Sequence, residues 1–164
     1  MPPTPLPHTA GCIVCGRDNP HGLHLSLGVD PATGIVTTEF EARPEHIGFE
    51  GIVHGGVLAT VLDEAMVWAA TWAGRRFCVC GELNVRYRNS APVGAALRIE
   101  ARVDAFRSRL IETTGSITDA AGIVYATATG KYVPVAPDRN AQFVATLVAS
   151  PQVRQTLEAL QSGS

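Results

Sequence analysis

Charge is scarce in this sequence: Asp, Glu, Lys and Arg make up only 17% of 164 residues, and 15 acidic side chains against 13 basic ones leave a net charge of −2. A protein that binds nucleic acid by neutralising phosphates needs a basic surface, so that class is excluded. Aromatic residues are also few, at 6%. A membrane-spanning helix is excluded as well, because Thr60, Asp63, Glu64 and Thr71 interrupt the longest apolar stretch well short of the ~20 residues such a helix needs. The opening residues carry neither a basic nor an apolar leader segment. The four cysteines, paired as Cys12/Cys15 and Cys78/Cys80, are therefore expected to be reduced thiols of a cytoplasmic protein.

What is present is apolar: 46% of the chain is hydrophobic, enough for the core of one domain. So little charge on a chain of this size implies that part of the surface is hidden against other subunits, and an oligomer is expected. Prolines fill four of the first seven positions, so residues 1–11 are expected to form a flexible arm. One domain is assigned to residues 12–136. A tail over residues 137–164 is expected to hold two short helices divided by Pro151.

Leu23–Val29 and Ile35–Ala42 alternate apolar and polar residues around the turn signal DPATG, as in an antiparallel hairpin. Helix-compatible residues run from Val57 to Ala73, with Gly74 as the expected stop. Strand-like alternation then recurs in residues 77–89, 96–107, 110–120 and 123–135. The predicted fold class is α+β, with an antiparallel sheet of five to six strands around one long helix.

That helix is apolar on almost every side at 100° per residue, so it is expected to be wrapped by the sheet. Asp63 falls among Ala59, Val67 and Ala70, whereas Glu64 shares a narrow stripe with Thr60 and Thr71. A desolvated carboxylate needs a partner or a raised pKa, which suits either a general base or a structural cap or ion pair. His54-Gly55-Gly56 precede the helix, where free N–H groups form a candidate oxyanion hole at its positive end. A tight entry into a packed helix is the plainer role for those glycines.

The motif HGG, six residues, then DEA, followed by ELNVRYRNSAPVG, resembles the hotdog-fold acyl-CoA thioesterases, in particular the phenylacetate-pathway (PaaI-type) branch. CIVCG and NPHGLHL resemble the opening of many members, and the resemblance extends from about Cys12 to about Val133. It implies a sheet wrapped around the long helix, and homodimers or homotetramers with active sites between protomers. The implied reaction is hydrolysis of an acyl-CoA, with no metal and no cofactor other than the coenzyme A of the substrate.

Residue by residue, the resemblance makes Asp63 the general base or nucleophile, with Glu64 its neighbour. Gly55 and Gly56 hold the thioester carbonyl, and His54 supports the loop or contacts substrate. Cys80 takes the place of a hydroxyl that in relatives orients water. Gly48 stands where several relatives carry Asn or Gln, with His46 and Glu50 in the same loop as substitutes. Val57 and Asn84 complete the expected substrate contacts.

An apolar acyl slot near Val57, Val61, Met66 and Trp68 competes with ordinary core packing of the same residues, which is the commoner outcome. Arg86, Arg88, Arg107, Arg109 and Lys131 are candidates by type for the phosphates of coenzyme A, no more than two of them being expected to touch it. Cys12-x-x-Cys15 with His21 and His24 has only half of a usual zinc spacing. An acyl-thioester dehydratase or hydratase is the rival enzyme, but the Asp-x-Asn-x-x-His signature of such relatives is missing. A non-catalytic acyl-CoA sensor keeps the pocket without the chemistry.

Overall fold

The computed structural model describes residues 2–161; the ends of the expected arm and tail, residue 1 and residues 162–164, lie outside the described residues. In chain order the strands are β1 (Thr4–Pro5), β2 (Gly28–Val29), β3 (Val36–Glu41), β4 (Ile47–Phe49), β5 (Ile52–Val53), β6 (Cys78–Tyr87), β7 (Ala96–Arg107), β8 (Leu110–Thr118) and β9 (Val124–Pro134). The helices are α1 (Gly55–Gly74), α2 (Pro137–Ala145) and α3 (Arg154–Gln161). Seven strands form one antiparallel sheet in the order β1-β2-β3-β7-β8-β9-β6, while β4 and β5 pair separately beside the start of α1. This is the α+β hotdog arrangement, with the sheet curved around the long helix.

The reason α1 sits inside the sheet is its composition. Leu58, Val61, Leu62, Ala65, Met66, Trp68, Ala69, Ala70 and Trp72 are all buried, and α1 packs against β3, β6, β7, β8 and β9. Strand β8 supplies the matching surface by strict alternation, with Ile111, Thr113, Gly115 and Ile117 turned inward. Two glycines set how closely the helix approaches. A Cβ on Gly115 would lie 3.0 Å from Met66 Sδ, and one on Gly130 would lie 2.7 Å from the Tyr132 ring and 2.9 Å from Met66 Cε. No helix among the described residues is long and apolar enough to cross a membrane.

The structure departs from the sequence reading in several places: the sheet has seven strands where five to six are expected, and the helix begins at Gly55, two residues before Val57. The helix runs through Gly74, and Arg75 takes the left-handed position (φ 52°) that ends it, its guanidinium 4.1 Å above the Trp72 ring. Only Gly28–Val29 of the expected first strand is paired as a strand; residues 23–25 bond instead to the cysteine loop, through Leu23 N–H to Ile13 O and Leu25 N–H to Val14 O. Thr4–Pro5 adds a strand to the sheet edge, and Leu6 is buried, so the arm is docked here. Proline lacks an N–H but is tolerated on an edge strand, where its carbonyl still accepts: Pro5 O receives the Thr156 hydroxyl at 3.1 Å, and Leu6 N–H reaches Leu27 O.

Cys78 and Cys80, two residues apart on one strand face, would both be buried by alternation alone; Cys78 is, but Cys80 is exposed, because β6 is an edge strand and its pairing with β9 slips between Cys80 and Glu82. The tail helices pack rather than trail. Asn140 Oδ1 of α2 accepts Phe77 N–H at 2.8 Å, and Leu160 of α3 is fully buried.

Gly130→Ala is expected to wedge a methyl between Tyr132 and Met66 and to destabilise the fold by about 1–3 kcal/mol, the usual cost of overpacking. Urea unfolding would show this as a lowered midpoint with an unchanged slope.

Candidate active site

Asp63 stands on the flank of α1 that faces β6 and β9. Tyr132 is 0% exposed, and its hydroxyl donates to Asp63 Oδ1 at 2.7 Å. Its ring can reach the helix because Gly130, two residues earlier on the same face, leaves it room. Burial first, and then the Asp63 charge, push the Tyr132 phenol well above its ordinary range, so it stays a proton donor to the carboxylate. Cys80 pairs with Tyr132 across β6 and β9; partial burial and then the Asp63 charge raise its thiol pKa. The result is a half-buried carboxylate held by a phenol and flanked by a thiol. Tyr132 is the residue that sequence reading missed. Its signal was weak: an inward-facing tyrosine opposite Cys80 is visible only once the β6–β9 register is known.

Glu64 is one residue along α1 and 100° around it, so it faces a different neighbourhood. Trp68 Nε1 donates to its Oε1 at 3.2 Å, and the sulfurs of Cys12 and Cys15 converge on its carboxylate. Burial raises the Glu64 pKa.

At the N-terminus of α1 the cap is His54, whose Nδ1 accepts Gly56 N–H at 2.9 Å. The Gly56 amide, expected to be free for a carbonyl oxygen, is thus engaged. Val57 N–H goes to His54 O, which leaves Gly55 N–H as the first-turn donor without a partner among the described residues. Tyr87 of β6 ties this end down, its hydroxyl donating to Gly55 O at 2.7 Å.

The model of the thioesterase superfamily matches residues 50–126, which span α1 and the strands that wrap it up to the start of β9. Over this core the chain is similar to the thioesterase superfamily. A thioesterase superfamily protein of known crystal structure is 28% identical, with a TM-score of 0.69 over 74% of this chain, which spans 62% of that protein's length. The PaaI protein of Escherichia coli, from the phenylacetic acid degradation operon, superposes with a TM-score of 0.64 at 17% identity over 70% of this chain and 81% of that one. The protein smu.793 of Streptococcus mutans UA159, solved bound to acetyl CoA, gives 0.63 at 19% identity over 68% and 88%. At such identities the last two likenesses establish the fold. No curated protein matches the chain.

Within this core the remaining candidates scatter. Val61 and Met66 are fully buried and Trp68 nearly so, packed into the core rather than lining a slot; Val57 is half-buried at the first turn. Asn84, Arg86 and Arg88 lie on the outer face of the sheet, with Thr114, Ser116, Thr127 and Thr129, around a shallow cavity of about 490 Å³. Strand alternation puts that face opposite to Leu83, Val85 and Tyr87, so within one protomer these three residues cannot meet Asp63. Lys131 is paired with Glu82 at 3.0 Å, and Arg107 and Arg109 flank the exposed β7–β8 turn. Glu50 is exposed on the turn between β4 and β5.

His46 is not free to substitute for a missing amide. It is 9% exposed, its Nδ1 accepts the Arg43 N–H at 3.1 Å, and its ring stacks on Phe40. Gly48 is explained by its neighbour: a Cβ there would lie 3.0 Å from His54 Cα and 3.2 Å from its ring, so His54 occupies the space a side chain would need. His21 and His24 do not join the cysteines; His24 Nε2 bonds Asn19 O at 2.6 Å, and His21 is exposed. A larger cavity of about 1190 Å³ lies between the arm, β3 and the tail, and neither it nor the outer-face cavity includes Asp63.

Burial, and then the Arg43 charge, lower the pKa of His46 below its ordinary 6.5. The stability it contributes is complete above the unfolded value and is lost as pH falls through the folded one. Thermal melts of wild type and His46→Asn should therefore draw together as pH drops from 7 toward 5, the wild type losing more.

Proposed function

We propose that the protein is an acyl-CoA thioesterase of the PaaI type, hydrolysing a fatty or aryl acyl-CoA to the free acid and coenzyme A in a reducing cytoplasm. The observation that carries this reading is Asp63, nine residues after His54 on the buried helix and oriented by Tyr132. The match to the thioesterase superfamily over residues 50–126 and the fold shared with an acetyl-CoA-bound protein support the substrate class.

The chemistry follows from the groups present. Asp63 takes a proton from water as its oxygen attacks the thioester carbonyl; alternatively its carboxylate attacks directly and water releases the acyl-enzyme. The oxyanion forms at the N-terminus of α1, where Gly55 N–H is available and Gly56 N–H becomes so when the His54 ring turns away. Collapse breaks the C–S bond, and the leaving thiolate takes the proton back from Asp63. Tyr132 keeps the carboxylate aligned. No metal or further cofactor enters these steps.

One protomer does not complete such a site. Gly55 and Asp63 are eight residues apart on one helix, about 12 Å at 1.5 Å per residue, too far to touch the same carbonyl. The edge strand β6 supplies the remedy. It is ten residues long, pairs with β9 on one side only, and exposes Val79 and Tyr87. Edge-to-edge pairing of two copies would cover it and set the Gly55 end of one helix near Asp63 of the other. The active unit is then a homodimer, or a tetramer built from it. The arginines of the outer sheet face reach coenzyme A only across such a junction.

A thiol-release assay over short, medium and long acyl-CoAs and aryl acyl-CoAs tests the reading. Asp63→Asn should abolish turnover while binding persists, and Tyr132→Phe should lower kcat about 10- to 100-fold, the worth of one hydrogen bond to a charged group. Mixed oligomers of Asp63→Asn and Gly56→Val chains should regain activity that neither variant has alone; no recovery would count against a site shared between protomers. The engaged Gly56 amide favours a second reading, an acyl-CoA binder without turnover, and wild type that binds thioesters but releases no thiol would establish it.

A further inference from the structure

The cysteine loop carries a feature that hydrolysis does not use. Cys12 Sγ, Cys15 Sγ and a Glu64 carboxylate oxygen all lie within 4.8 Å of one another. From the geometry we propose that Cys12, Cys15 and Glu64 bind one divalent zinc-like metal ion, which clamps the loop of residues 9–25 onto α1.

The loop has the form such a site needs. Val14 N–H and Cys15 N–H both point at Cys12 Sγ, at 3.4 and 3.5 Å, a turn that stabilises negative charge on the first sulfur of a C-x-x-C pair. Gly16 closes it: its N–H bonds Cys12 O at 3.0 Å, and a Cβ would fall 2.4 Å from Cys12 N, which no side chain can tolerate. The bonds from Leu23 and Leu25 to Ile13 and Val14, at 2.8 and 2.9 Å, sew the turn to the chain behind it. The pair is thereby presented to the helix at a fixed place.

The carboxylate is the second, independent feature. Glu64 is half-buried, and no lysine, arginine or histidine among the described residues forms an ion pair with it. Trp68 Nε1 satisfies one of its oxygens at 3.2 Å, and a cation placed between the carboxylate and the two sulfurs would offset the cost of burying charge there. Two thiolates and one carboxylate select a soft or borderline divalent ion, and three protein ligands leave a fourth position for water. Around a tetrahedral zinc, ligand atoms stand about 3.5–3.8 Å apart given Zn–S near 2.3 Å and Zn–O near 2.0 Å. From separations of at most 4.8 Å, the three atoms need to close by about 1.3 Å at most to meet this spacing.

Titration of the reduced full-length protein with Co(II), then Zn(II), under argon tests the site without any thioester, so its outcome is separate from that of the hydrolase reading. One Co(II) per chain should bind with the intense visible bands of tetrahedral cobalt and a sulfur-to-cobalt charge-transfer band. Zn(II) should displace it and protect two of the four thiols from a thiol reagent. Glu64→Gln should keep the charge-transfer band but weaken binding by about tenfold or more. Cys12→Ser with Cys15→Ser should lose the bands, and Cys80→Ser should keep them. Pale octahedral spectra, bands that follow Cys80 instead, binding unchanged in Glu64→Gln, or oxidation of the pair to a disulfide in place of metal uptake would each overturn the proposal. Thiol protection and metal stoichiometry in the wild type decide the matter even if the serine variants fail to fold.

Discussion

Everything in this molecule is arranged around one constraint: α1 has almost no polar face and must be enclosed. A helix of this kind cannot lie on a sheet with one side in water without exposing leucines, valines and tryptophans. The sheet therefore curves around it, and Gly115 and Gly130 let two strands come close enough for Met66 to fill the space between. The same enclosure makes polar groups on α1 costly, so each of the two acids is tied to a specific neighbour. Asp63 takes the hydroxyl of a fully buried tyrosine. Glu64, a third of a turn around, faces indole and sulfur.

This division gives adjacent acids different chemistry. The proposed base is oriented from the sheet side, where β6 and β9 end in an open edge. The other acid faces the two sulfurs of the N-terminal loop. In the proposed reaction the open edge and the 12 Å helical offset, roughly eight rises of 1.5 Å, point to the same second copy, which would bring a helix N-terminus to Asp63. In that assembly β6 would be both a hydrogen-bonding edge and a wall of the site, through Cys80 and Tyr87.

The long elements were legible in the sequence because their patterns are local. Strict alternation in residues 110–118 and the apolar periodicity of residues 57–73 each report the environment of one segment. The arm was read as flexible because its prolines lack donors, yet their carbonyls and Leu6 N–H suffice to dock it. Arg86 and Arg88 were candidates by charge, but face along a strand depends on register, and the slip near Cys80 puts them on the outer side of the sheet. Gly48 read as a missing helper; in the fold it is the space His54 occupies.

By itself the sequence determined that an apolar helix would be enclosed by strands, and that one acid would follow an HGG turn by a set number of residues, since composition and spacing survive any folding. Only the tertiary structure decided what each acid touches. Tyr132 lies 69 residues from Asp63, and Cys12 and Cys15 precede Glu64 by the length of a hairpin and a loop. Contacts at such separations are set by strand register and loop closure, which no local period encodes.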